Sequence, residues 1–109
     1  QARSYRELSA RVAGSLPRDF TCIARMGLGD AQRALLDYFA NIETTPVNAV
    51  TAGRCNALLV QAAPLKIPQV GPEWEELWRG SRPGDRHELF IVYRRVFRPA
   101  VLPMPRSSA

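Results

Sequence analysis

Apolar side chains along this chain fall mostly at intervals of three and four residues, a spacing that predicts helices. Tyr5, Leu8 and Val12 make one stripe over residues 4–13. Ser4 followed by Glu7 has the form of a capping box, in which each side chain satisfies a backbone N–H near the helix start. Gly14 and Pro17 end that helix. Asp30 is the expected cap of the segment AQRALLDYFANI, whose apolar side is Ala34, Leu35, Tyr38, Phe39 and Ile42 and whose polar side is Gln32, Arg33 and Asp37. Thr45 and Pro46 suit the cap and first position of a third helix, with a stripe through Val47, Val50, Cys55, Leu58, Leu59 and Ala62. Gly53 lies inside it at a cost of about 1 kcal/mol against alanine, and close packing on a neighbouring helix is the expected reason. PEWEELWRG, from Pro72, reads as a short helix with Trp74, Leu77 and Trp78 on one side. Glu73, Glu75 and Glu76 in its first turns suit the positive end of the helix dipole.

The densest apolar run is DRHELFIVYRRVFR, residues 85–98, and it has two readings. Asp85 and Glu88 fit a capping box. At about 100° per residue Leu89, Phe90, Val92, Tyr93, Val96 and Phe97 share one arc, leaving out Ile91. As a strand, by contrast, its β-formers would need a sheet covered on both sides, with Arg94 and Arg95 on opposite faces. The helical reading is preferred. The expectation is a mainly α single domain of four or five helices over residues 1–109. The alternative is α+β, with short strands near 20–26 and 88–97. Ala63–Gly71 is prolyl and extended, and the proline-rich tail 99–109 is expected to be extended as well.

Composition changes this picture little. The 109 residues are 46% hydrophobic and 23% charged, as in ordinary globular domains. No apolar run approaches the roughly 20 residues needed to span a membrane. The chain begins with Gln rather than Met, as expected of a processed product or an excised segment. Net charge is +5, favouring anionic partners such as nucleic acid or an acidic protein surface. Lys66 is the single lysine among fifteen basic residues, however, and the arginines are spread along the whole chain.

Candidate chemistry is sparse. Cys22 and Cys55 are the only cysteines and lack the CxxC spacing of zinc sites; His87 is the only histidine. A disulfide and two buried thiols are equally compatible with that pair, and no metal or cofactor is expected. Any nucleophile–base pair using histidine runs through His87, whose neighbours Asp85 and Glu88 are better explained by capping. Gly27–Asp30 (GLGD) lacks the Lys and Ser/Thr of a phosphate loop, and the Asp30 carboxylate would repel an anion. Two binding surfaces remain. Arg94, Arg95 and Arg98 would form one basic patch on the outer face of a C-terminal helix. Trp74 and Trp78 would offer an aromatic pair of the type found at interaction hot spots. The expected function is a non-catalytic interaction or regulatory module that binds another protein, one with an acidic surface. Nucleic-acid binding through the arginine patch is the alternative.

Overall fold

The computed structural model describes residues 2–96. In chain order it contains α1 (Ala2–Ser15), β1 (Ile23–Met26), α2 (Asp30–Ala40), β2 (Thr45–Pro46), α3 (Ala49–Arg54), β3 (Ala57–Ala62), β4 (Trp74–Gly80) and β5 (Leu89–Arg95). The strands form one sheet in the order β2-β1-β3-β5-β4. β1 runs parallel to both β2 and β3, while β5 lies antiparallel between β3 and β4. This is an α+β fold with a mixed sheet, and it overturns the mainly helical expectation. Strands do occur within 20–26 and 88–97, but residues 57–62 and 74–80, expected as helix, are strands too.

The correction has a physical cause in β5. Phe90, Ile91, Val92 and Tyr93 are all buried in succession, so both faces of the strand are covered. Phe90 and Val92 face one core with Ile23, Ala57 and Leu59, under Tyr5, Leu8 and Val12 of α1 and Leu36 of α2. Ile91 and Tyr93 face a second core with Ala24, Cys55, Leu58, Val60 and Trp74. Among the described residues, no helix comparable to α1 or α2 covers that second side. Ile67 and Val70, from the extended prolyl connection between β3 and β4, pack on it together with Cys22 and Val47. Each of Phe90, Ile91 and Val92 removed from water contributes about 1.5–3 kcal/mol. A helix placing Ile91 outside its apolar arc forgoes one such contribution, and the sheet forgoes none.

The expected third helix divides for a similar reason. Ala57–Val60 is a run of four buried residues, which spacing alone leaves ambiguous between helix and strand. Its helical part is only α3, capped by Asn48 rather than Thr45. Asn48 Oδ1 accepts from the N–H groups of Val50 and Thr51, both at 2.9 Å, and Thr51 Oγ1 accepts from Asn48 N–H at 2.9 Å. Thr45 and Pro46 form the outer strand β2, where a residue without an N–H is tolerated. Gly53 has open space around it, not a packed helix.

The other expected caps also move. Ser4 lies inside α1, which starts at Ala2. Gly29 is the cap of α2, and Asp30 is its first residue. At its far end, Asn41 adopts the left-handed conformation (φ 54°). Asn41 N–H then donates to Asp37 O, the 5→1 bond of an αL cap, and Ile42 N–H to Leu36 O. This swings Ile42 into the core beside Leu36. Tyr38, placed on the apolar side by spacing, is 81% exposed, whereas Leu36 is fully buried.

A disulfide joins Cys22 to Cys55 and decides between the two states left open by the sequence. It ties the start of β1 to the end of α3 across 33 residues. In the chain-entropy account, closing a loop of that length stabilises the fold by about 3–4 kcal/mol. No helix among the described residues is long and apolar enough to cross a membrane.

Two glycines separate backbone need from tolerance. Gly27 has φ +75°, and a Cβ there would collide with the Gln61 carbonyl oxygen of β3. Gly27→Ala is expected to cost about 1–3 kcal/mol. Gly53→Ala, helical and unobstructed, is expected to add about 0.5–1 kcal/mol. Urea unfolding of the two variants checks this, and shifts of the same sign would contradict it.

Candidate functional site

Two members of the expected basic patch, Arg94 and Arg95, are not brought together. Because 85–98 contains a strand and not a helix, Arg94 and Arg95 project to opposite faces of the sheet. Arg94 is half-exposed and its Nε donates to Glu75 Oε1 at 2.6 Å across β4 and β5. Arg95 lies directly opposite Trp74, its guanidinium 4.5 Å from the ring centroid, and its Nε donates to the Cys55 carbonyl at 3.3 Å. Its Nη2 is buried and has no hydrogen-bond partner among the described residues. Arg98 and the tail 99–109 lie outside the described residues. Arg95 is therefore a lid on the Trp74 side of the core, and Arg94 is one half of a surface ion pair.

The tryptophans are also separated, by a single irregularity. Glu76 pairs with Tyr93 and Trp78 with Val92, which leaves Leu77 as an extra residue in β4. Four positions apart on a regular strand, Trp74 and Trp78 would share a face. The bulge reverses the alternation, so Trp74 enters the core under the prolyl connection and Trp78 packs against the helix-side core. The Trp78 ring lies across Gly80, where a Cβ would come within 2.5 Å of it. Neither ring is a free interaction surface: Trp74 is buried and Trp78 half-buried.

The remaining sequence candidates have structural duties. Asp85 does not cap a helix; it holds the turn before β5. Its Oδ1 accepts from His87 N–H at 2.8 Å and its Oδ2 from Arg82 Nη2 at 3.3 Å. The Arg82 guanidinium sits 4.4 Å over the Tyr5 ring, so the turn is pinned to α1. The N–H of His87, then the Arg82 charge, hold the Asp85 carboxyl below the usual carboxylate range. His87 itself is exposed. In the glycine turn, Gly29 N–H donates to Gln61 Oε1 at 3.1 Å. Among the described residues, no group of three or more His, Cys, Asp or Glu is placed to hold a metal ion.

An apolar groove lies elsewhere, at the disulfide end of the molecule, with a volume of about 440 Å³. Ala13 and Leu16, at the end of α1, form one side, and Ala40 and Asn41, at the end of α2, form the other. Ile23 and Ile42 are its buried floor, and Phe20, Thr21 and Cys22 close it. Phe20 keeps 43% of its surface exposed. A turn from Pro17 O to Phe20 N–H (3.2 Å) sets that ring. Thr21, next to it, is anchored to the α3–β3 junction, its N–H donating to Asn56 Oδ1 at 2.7 Å and its Oγ1 to Arg54 O at 2.9 Å. The disulfide adds a covalent tie one residue later. Glu43 stands on the rim, and Ile42 and Glu43 are shared with an adjoining hollow that also meets Asp37 and Thr44.

Sequence reasoning did not select this groove. Ile42 belongs to the stripe expected of the second helix, and Phe20 to the segment 20–26, a strand only in the α+β alternative. The available signals were the Asn41-Ile42 helix end and a large aromatic among Arg18, Asp19 and Thr21, where a core residue is out of place. What the fold and groove define is a disulfide-braced α+β domain with an open apolar cleft. Comparison of the chain with family models, with curated proteins and with solved structures finds no match.

Two expectations test the assignments of charged residues. Removing the Arg95–Trp74 stack by Arg95→Gln should cost about 1–2 kcal/mol. Arg94→Gln should stay within about 0.5 kcal/mol, because Arg94 and Glu75 are half in water. Equal losses in chemical denaturation would contradict the distinction. For Asp85, the depressed folded-state pKa means its contribution is present above the unfolded value and lost as pH falls through the folded one. Stability measured from neutral pH downward should therefore fall below about pH 4, and less steeply in Asp85→Asn. Superimposable profiles would show that the turn carboxylate contributes nothing.

Proposed function

We propose that this domain is a non-catalytic protein-binding module that receives a segment of its partner in the cleft at its disulfide end. The observation supporting this reading is the cleft itself: an open depression with buried Ile23 and Ile42 at its floor and the half-exposed ring of Phe20 at its mouth. Large aromatic side chains at the mouth of an apolar depression are typical of interaction hot spots, because they exclude water around the contact at low cost in conformational entropy. The cleft is held in place before any partner arrives. Its walls come from two helix ends, and the Phe20 strap is fixed by hydrogen bonds to Arg54 and Asn56 and by the disulfide. Preorganisation of this kind lowers the ordering cost of association. Nucleic-acid binding has less support, since two of the three arginines that suggested it, Arg94 and Arg95, are divided between two faces and engaged with Glu75 and Trp74.

Selection from a library of short random peptides tests the reading. Binders are expected to the native protein and to be lost on Phe20→Asp and on Ala13→Arg, with a urea unfolding curve of each variant as the control that it stays folded. A selection that enriches nothing, or whose binders retain full affinity for both variants, would end it.

A further inference from the structure

The electrostatics of the cleft differ from those of the molecule as a whole, and the difference points to its ligand. Net charge is +5, yet the charged side chain on the rim is Glu43, with Asp37 in the adjoining hollow. The backbone adds to this. α1 and α2 both end at the cleft, and each helix C-terminus carries roughly half a negative charge. Such ends are commonly balanced by Lys or Arg in the last turn, but neither helix has a basic residue there. The left-handed cap at α2 places its two N–H groups on the Leu36 and Asp37 carbonyls. Among the described residues, no Arg or Lys lines the cleft itself; in the hollow Arg33 lies 3.6 Å from Asp30, and Arg25 Nη1 donates to Thr44 O at 2.7 Å. Resting on the reading of the cleft as a protein-binding site, we propose that it takes a partner segment in which an apolar side chain lies next to Arg or Lys. The apolar group covers Ile23 and Ile42 beside Phe20. The cation meets Glu43 and the two helix ends, and supplies the positive charge that the last turns lack. The cleft and the adjoining hollow, of about 440 and 370 Å³, share Ile42 and Glu43, so an extended segment can place the two groups in adjacent depressions.

The test uses the full chain and random peptides, with binders sorted by whether Phe20→Asp abolishes them. Those that depend on Phe20 should be enriched in Arg or Lys next to an apolar residue. Glu43→Lys should weaken them about tenfold or more, Asp37→Asn by a smaller factor, and raised salt should weaken binding to the native protein. Glu43 is exposed, so a urea unfolding curve close to native is expected for that variant and is the control. Phe20-dependent binders that are neutral or acidic, or that Glu43→Lys leaves unchanged, overturn this proposal while leaving the cleft as a binding site. An absence of Phe20-dependent binders overturns both. A synthetic peptide of residues 97–109, which holds Val101, Leu102, Met104 and Arg106, is a further arm. If it binds the cleft more tightly than every selected sequence, the occupant is the chain's own end, and a separate partner is ruled out.

Discussion

Burial of β5 on both faces is the condition that the rest of this structure satisfies. Four consecutive apolar residues in a strand put two side chains on each side of the sheet, and neither side can be left to water. The helix-side cover comes from α1 and α2 in the usual way. The other cover is improvised from an extended prolyl connection, the buried half of a disulfide, Val47 and the Trp74 ring. The side that relies on it is also where a covalent link and an arginine stacked on tryptophan are found.

The β4 edge shows how one residue redistributes a whole face. Without the extra Leu77, Trp78 would project toward the prolyl side and the helix-side core would lose a large ring. The bulge also interrupts the regular row of N–H and C=O groups along the sheet's longer open edge. With Glu75, Glu76 and Arg79 around it, β4 is a poor template for another strand.

The sequence carried the first two helices, whose stripes are long and periodic, although the capping residues and the exposure of Tyr38 were misjudged. It did not carry the sheet, and the reason is specific. In Ala57–Val60 and Phe90–Tyr93 every position is apolar, so period-two alternation, the usual signature of a strand, is absent. A fully buried strand and a helix with a broad apolar face then give the same pattern. In PEWEELWRG the acidic residues matched a helix dipole, but their use is cross-strand pairing with Arg94 and local pairing with Arg79. The arginine patch followed from the helical assignment, and in the strand Arg94 and Arg95 lie on opposite faces. The cleft was not legible because its residues, from Ala13 to Glu43, meet only through the packing of two helix ends on the start of β1.

The disulfide divides the fold in a way that the sheet order does not display. The ring closed by Cys22 and Cys55 contains β1, α2, β2 and α3, which is nearly all of the parallel part of the molecule. β3, β5 and β4, the antiparallel part, stand outside it. A protease cutting any peptide bond between those cysteines, in the 41–48 connection for instance, therefore severs the backbone without releasing a piece. The nicked protein remains one covalently joined molecule, heavier by one water, until a reductant opens the ring. A cut in the prolyl connection 63–73 has the opposite result, since no covalent bond then joins β4 and β5 to the rest. The same molecule thus has one half in which backbone damage is held together by sulfur and another in which integrity rests on packing alone.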